Sequence, residues 1–165
     1  MWRPGFEYLT SQLATVDGLH RAPCIYSWVH RGSKERPGIV LGLDKGGSCV
    51  GTAFEVDAEK REQVTEYLRA RELVTNVYLE TKRAVQLEDK RIVHAITYVV
   101  DNSHEQYAGQ LSEQALIDLI SGAAGQSGKN DDYFISSAEH LHNLGIEDPL
   151  MNSLAVELKR RKNSK

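Results

Sequence analysis

The sequence predicts an α+β fold in which most strands precede most helices. Apolar runs of strand length, rich in β-branched and aromatic residues, occupy much of the region 24–100. Segments of helix length with capping residues fill the last third of the chain. Because strands and helices are segregated and do not alternate, we expect an α+β fold and exclude a doubly wound sheet. The 165 residues suit one domain, and we expect 1–165 to form it.

The strand predictions follow the apolar runs in chain order. The chain opens with a loop followed by the segment LATVDGLHR, and CIYSWVH at 24–30 is predicted to be a strand. IVLGL and SCVGTAFEV are joined by DKGG, whose glycines supply positive φ, so we expect a β-hairpin at 39–56. NVYLETKRAVQL and RIVHAITYVV are predicted to be strands on either side of the turn EDKR.

Capping residues mark the helices. Asp57 can cap a helix that runs to about Glu72. Three further helices are expected in the last third: one from Ser112, one from Asn130 to Gly145, and one introduced by Asp148-Pro149. SGAAGQSGKN, between the first two of these, superficially resembles a phosphate loop. Asn130 stands where such a loop needs Ser or Thr and a helix precedes it, so we reject nucleotide binding and expect a helix–turn–helix junction.

Composition excludes several classes of function. The formal net charge is −3 with 41% hydrophobic and 26% charged residues, so we expect a globular protein that does not bind nucleic acid. We find no apolar run long enough for a bilayer and expect no membrane association. Two cysteines make a poor disulfide framework, so we expect a cytoplasmic location. We find no zinc-like Cys/His spacing and expect neither metal nor cofactor.

Glu72 stands out among the carboxylates. It closes the helix ending in YLRARE, where its charge opposes the helix dipole at a cost of about 0.3–1 kcal/mol. The apolar LVTNVYL follows at once, so Glu72 lies where a helix end meets the strands and could transfer a proton. From the residues alone, a surface glutamate or an ion-pair partner for Arg69 or Arg71 is the more common role of a glutamate at a helix end, and it is favoured over a catalytic one.

From Met1 to about Leu154 the chain resembles the ChaC-like, glutathione-specific γ-glutamylcyclotransferases. The matching stretches are, in order, MWRPGF, DGLHR, RPGIVLGLDKGGSCVGTAFEV, YLRARELVTNVY, QYAGQL and AAGQSGKNDDYFISSAEHLHNLGI. The resemblance implies a small mixed β-barrel with flanking helices. It also implies an enzyme that cleaves glutathione to 5-oxoproline and Cys-Gly without metal or cofactor.

The same resemblance implies the site residues. The family's catalytic glutamate lies in the RE segment, which here is Glu72, and it would act as general base and then general acid. Tyr107, from the QYAG-like segment, is expected to contact the substrate, and Tyr78 and Tyr98 are expected to line the pocket wall. From the sequence alone, strand tyrosines such as these are also typical half-buried packing residues.

One departure from the family concerns the start of the chain. Family members carry a Tyr-Gly-Ser-Leu segment just before the residues that match Met1-Trp2, and it forms a strand and a substrate-binding loop. We therefore expect this chain to lack that strand and loop, and to self-associate through an exposed strand edge. Two alternatives stay open: a non-catalytic regulator or binding module of the same fold, and cyclotransfer on γ-glutamyl amines other than glutathione.

Overall fold

A computed structural model describes residues 4–164, which form two compact units. The first unit contains 4–21 and 42–104, and the second contains 22–41 and 105–164. The expectation about Met1 and the preceding segment lies outside the described residues. Within them, no helix is both long and apolar enough to cross a membrane.

Four strands form a closed barrel in the order β1-β2-β4-β3. β1 spans Thr10–Ser27, β2 Gly38–Glu55, β3 Tyr78–Leu87 and β4 Ile92–Val100. β3 pairs antiparallel with β4 and with β1, whereas β2 and β4 run parallel. The barrel is therefore mixed, and the predicted α+β class and barrel are confirmed.

The glycine-rich segment DKGG does not reverse the chain. Gly46 and Gly47 have positive φ values of 99° and 66°, as the turn prediction required, yet both lie inside the continuous strand β2. The predicted hairpin at 39–56 is wrong, because positive-φ glycines also let a strand bend at a bulge and continue. The predicted opening loop is likewise shorter, since β1 begins at Thr10 and includes LATVDGLHR.

The core of the first unit forms between alternating strand residues. Because side chains alternate across a strand, every second residue of β3 and β4 reaches the same face. The buried cluster consists of Val16, Leu19, Cys49, Val85, Leu87 and Val99, with Ala14, Leu43, Ala53, Val93 and Ala95 packed against it. The opposite face of β3 and β4 is thus free to carry polar side chains.

A helix leads from the end of β2 to β3. The 3₁₀ turn Ala58–Lys60 begins where the side chain of Asp57 accepts from the backbone N–H of Glu59 at 2.9 Å. Helix α1, Arg61–Glu72, follows and buries Val64. The predicted end of this helix at Glu72 is confirmed.

The second unit is mainly helical. Helix α2 spans Glu113–Ile120, α3 Asn130–Asn143 and α4 Pro149–Asn163. Ser112 caps α2 and Asp148 caps α4, as predicted, and Gly145 with φ 69° follows the end of α3. A small hairpin of β5, Ala124–Gly125, and β6, Gly128–Lys129, lies between α2 and α3 where a helix–turn–helix junction was expected. The difference arises because AAGQSGKN pairs with itself through Ala124 and Lys129.

Asn130 joins this helical region to the start of β2. Its side chain is fully buried, its Oδ1 accepts from Ile39 N–H at 2.8 Å, and its Nδ2 donates to Ile39 C=O at 2.8 Å. Glycine is required at position 38, because an added Cβ would lie 2.3 Å from the carbonyl oxygen of Arg31 and 2.8 Å from Asn130 Oδ1. Asn130 therefore satisfies both backbone groups of the buried Ile39.

Candidate active site

Glu72 lies at the junction between α1 and β3. The N–H of Leu73 donates to the carbonyl of Arg69 at 3.0 Å and closes the last helical turn. Asn76, with φ 56°, then donates to Leu73 C=O at 3.2 Å and turns the chain towards β3. The Glu72 side chain is 20% exposed, so it is shielded yet still open to a solute.

Glu72 has a basic neighbour. The Nε of Arg71 lies 3.3 Å from Glu72 Oε1, and its Nη1 donates to the carbonyl of Pro4 at 3.0 Å. Of the two arginines considered as partners, Arg71 therefore contacts Glu72, whereas Arg69 binds elsewhere. The contact is long and Arg71 is 37% exposed, so the carboxylate is not locked into a tight buried ion pair.

A hydrogen-bonded group lies on the face of β3 and β4 opposite the core cluster. Arg69 donates twice to Glu80, from Nε to Oε2 at 2.8 Å and from Nη2 to Oε1 at 2.7 Å. The hydroxyl of Tyr98 donates to the same Oε2 at 3.2 Å. Glu80 and Tyr98 are directly opposite in the ladder, which places their side chains on one face.

The charges of this group fix its protonation at neutral pH. The two hydrogen bonds from Arg69 lower the pKa of Glu80, so this carboxyl is ionised. Burial, followed by the charge of Glu80 and its hydrogen bond, raises the pKa of Tyr98 to about 12. Glu72 also contributes to this rise, so Tyr98 lies within electrostatic reach of both carboxylates.

The other two predicted site residues lie in β3 and in the second unit. Tyr78 opens β3 two residues before Glu80, so it shares the face of Glu80 and Tyr98, and it is half-buried. Tyr107 is half-buried and forms a bridge with Ile25 in the second unit. Its segment is held by bonds from Tyr26 N–H to Gln106 C=O and from Ala108 N–H to Cys24 C=O, both 2.8 Å.

Glu80 was not among the site residues predicted from the sequence. The turn EDKR could have revealed it, because a turn fixes which residues of the two flanking strands lie opposite each other. In the structure, the N–H of Leu87 donates to Arg91 C=O at 2.8 Å across this turn. Counting seven residues back from Leu87 and seven forward from Arg91 pairs Glu80 with Tyr98. Glu80 was overlooked because a strand glutamate with no register assigned resembles any solvated charge.

Comparison with known proteins gives one consistent family. The family described as ChaC-like protein matches residues 1–161. A glutathione-specific γ-glutamylcyclotransferase of Escherichia coli (strain K12) is 36% identical over 160 residues, which cover 97% of this chain and 69% of that protein. The glutathione-specific γ-glutamylcyclotransferase 1 of Danio rerio is 30% identical over 166 residues, covering 96% and 84%.

Solved structures agree on the fold. A crystal structure of a γ-glutamylcyclotransferase specific to glutathione from yeast superposes with a TM-score of 0.84 at 19% identity, covering 97% of this chain and 94% of that one. A selenomethionine crystal structure of a glutathione-specific yeast enzyme gives a TM-score of 0.85 at 18% identity, covering 96% and 91%. At these identities the likeness shows the fold alone. Together with the match over 1–161, it means that this chain belongs to the ChaC-like protein family.

Proposed function

We propose that this chain is a glutathione-specific γ-glutamylcyclotransferase that converts glutathione to 5-oxoproline and Cys-Gly. The observation that carries the proposal is the position of Glu72, a carboxylate 20% exposed at a helix end and within electrostatic reach of Tyr98. The names of the relatives that are 36% and 30% identical support the substrate.

The reaction needs a group that moves protons. The α-amine of glutathione is an ammonium at neutral pH and cannot attack until it is deprotonated. Glu72 accepts this proton, and the amine nitrogen then bonds to the γ-carbonyl carbon of the same molecule, closing a five-membered ring. The bond from that carbon to the cysteine nitrogen breaks. In all, the α-nitrogen loses two protons and the leaving nitrogen gains two, with Glu72 as the carrier.

Because the ring closes within one molecule, the protein does not have to bring two reactants together. A well-oriented intramolecular attack has an effective molarity of about 10⁵ M or more. The remaining task is to hold the glutamyl part of glutathione, and we assign contacts with it to Tyr107, Tyr78 and Tyr98. We also place the reaction in the cytoplasm, because the two cysteines, Cys24 and Cys49, are both buried and make a poor disulfide framework.

The test is direct product analysis. The purified protein is incubated with glutathione, and 5-oxoproline and Cys-Gly are quantified together, in parallel with γ-glutamyl amines that lack the Cys-Gly part. We expect equal amounts of the two products from glutathione, little turnover of the other amines, and the same rate with EDTA. Equal turnover of all γ-glutamyl amines would contradict the substrate, and a rate lost in EDTA and restored by a divalent ion would contradict the mechanism.

A further inference from the structure

The hydrogen bonds that join Arg69, Glu80 and Tyr98 have a defined direction, from donor to acceptor. An ionised carboxylate can only accept hydrogen bonds, so the 3.2 Å contact between Tyr98 and Glu80 requires the phenol to donate its proton to Glu80. The same Oε2 also accepts from Arg69 Nε at 2.8 Å, and the second Arg69 bond holds Oε1 at 2.7 Å. Both oxygens of Glu80 are thus fixed, and so is the direction of the phenol O–H bond.

This direction decides what Tyr98 can offer a substrate. Once its proton is used, the phenol oxygen keeps lone pairs and acts as an acceptor. Glu72 offers a second acceptor: it follows Arg69 by one turn of α1, Arg69 and Tyr98 bind the same oxygen of Glu80, and the charge of Glu72 helps to raise the pKa of Tyr98. A substrate group recognised by two acceptors must be rich in donors, as an ammonium is.

We infer that Glu80 is a positioning residue that orients the Tyr98 hydroxyl, so that the phenol oxygen accepts a hydrogen bond from the α-ammonium of the substrate beside Glu72. The inference rests on the proposed function, because it takes glutathione as the substrate. Arg69 neutralises Glu80 by a two-point ion pair, which leaves Glu72 as the carboxylate that takes the proton.

The Glu80→Gln variant tests the orientation. The amide is close in shape but can place an N–H towards Tyr98, which would turn the phenol proton towards the substrate. We expect the KM for glutathione to rise about tenfold, with a smaller change in kcat, because one hydrogen bond to a charged group is lost. The control is Glu88→Gln, an exposed glutamate after β3, which should leave both constants unchanged.

A double-mutant cycle separates positioning from general structure. Tyr98→Phe removes the hydroxyl that Glu80 orients, so adding Glu80→Gln to Tyr98→Phe should change the KM less than twofold. If Glu80 only supports the fold, Glu80→Gln will have the same effect with Tyr98 or Phe at position 98. That result would overturn the inference.

An analogue without the α-amine tests which group is recognised. Glutaryl-cysteinylglycine has the shape of glutathione, cannot cyclise and can be used as a competitive inhibitor. We expect its inhibition constant to be the same for wild type, Glu80→Gln and Tyr98→Phe. If the two variants bind this analogue more weakly by the same factor as they bind glutathione, Tyr98 binds another part of the substrate. That result would overturn the inference.

A measurement without turnover keeps the two proposals distinguishable. Absence of 5-oxoproline from the wild type would contradict the proposed function, whereas the hydrogen bond can be followed by NMR of ζ-¹³C tyrosine. The resonance of Tyr98 is assigned as the one that is absent from Tyr98→Phe. Because Glu80 raises the pKa of Tyr98, this resonance should titrate at lower pH in Glu80→Gln than in the wild type. An unchanged titration would overturn the inference whatever the activity.

Discussion

At the residue scale, the proposed chemistry depends on a carboxylate that can accept and return a proton. Glu72→Gln keeps the size of the side chain and removes this ability, so we expect turnover of glutathione to fall by about 10²–10⁴-fold. The melting temperature should be unchanged, because the contact of this side chain with Arg71 is long, at 3.3 Å, and contributes little to stability. Glu62→Gln, in the first turn of the same helix, is the matched control. Near-normal 5-oxoproline formation in Glu72→Gln would refute the assignment.

Tyr107 gives a smaller expected effect. If its hydroxyl bonds a charged substrate group, Tyr107→Phe should cost about 1.5–3 kcal/mol in kcat/KM, which is roughly 10- to 150-fold. Tyr8→Phe serves as control, since Tyr8 is exposed and its ring packs on Phe54 without needing the hydroxyl. Steady-state kinetics with glutathione measure both. Identical constants for Tyr107→Phe and wild type would show that the hydroxyl does not meet the substrate.

The raised pKa of Tyr98 predicts how the free energy of unfolding changes at alkaline pH. Its pKa is raised to about 12 in the folded protein, above a value of about 10 in an unfolded chain. The folded state therefore holds the proton more tightly, and this contribution is complete below about pH 10 and is lost as the pH rises towards 12. Urea unfolding should show a steeper loss of stability above pH 10 for wild type than for Tyr98→Phe. Parallel curves would contradict the raised pKa.

At the scale of elements, the second unit depends on one buried amide. Asn130→Ala removes both bonds to Ile39 and leaves its N–H and C=O unsatisfied in a fully buried position. Each such group costs about 1–3 kcal/mol, so the free energy of unfolding should fall by about 2–6 kcal/mol. Asn143→Ala, at the exposed end of the same helix, should change it little. Equal urea midpoints for the two variants would show that water replaces the amide.

At the scale of the whole molecule, β4 suggests self-association. In the register, β4 pairs with β3 along most of its length but meets β2 at Leu43 and Val99. Ile92 and Ile96 lie on one face of β4 and are 68% and 41% exposed, so they offer an apolar face that a second chain can cover. We therefore expect light scattering to give twice the mass of one chain.

A charge on this face of β4 should prevent the association. Ile96→Glu faces Lys82 across the ladder, so it keeps the hairpin while adding a charge to the apolar face, and the variant should be monomeric. Val156→Glu, on the exposed face of α4, should stay dimeric. A monomeric wild type, or loss of the dimer in both variants, would contradict pairing through β4.

Local signals in the sequence determined the ends of the helices and the family. Ser112 and Asp148 cap their helices through bonds to backbone groups three residues away, so a short stretch of sequence contains the whole interaction. The end of α1 at Glu72, and the motif RE that contains Glu72, can also be recognised from a short stretch of sequence. The order of the motifs indicated the family, and the resemblance to it implied the barrel that the structure has.

Only the tertiary structure decided how strands pair and which charges meet. DKGG has the positive φ values of a turn, but whether such glycines reverse a chain or bend a continuous strand depends on partners far away in sequence. Arg69 was a candidate partner for Glu72 because it is close in sequence, yet it binds Glu80, which the barrel brings beside it. Helix caps can be predicted because they are local, whereas Glu80, Tyr98 and Asn130 acquire their roles from contacts that exist only once the chain has folded.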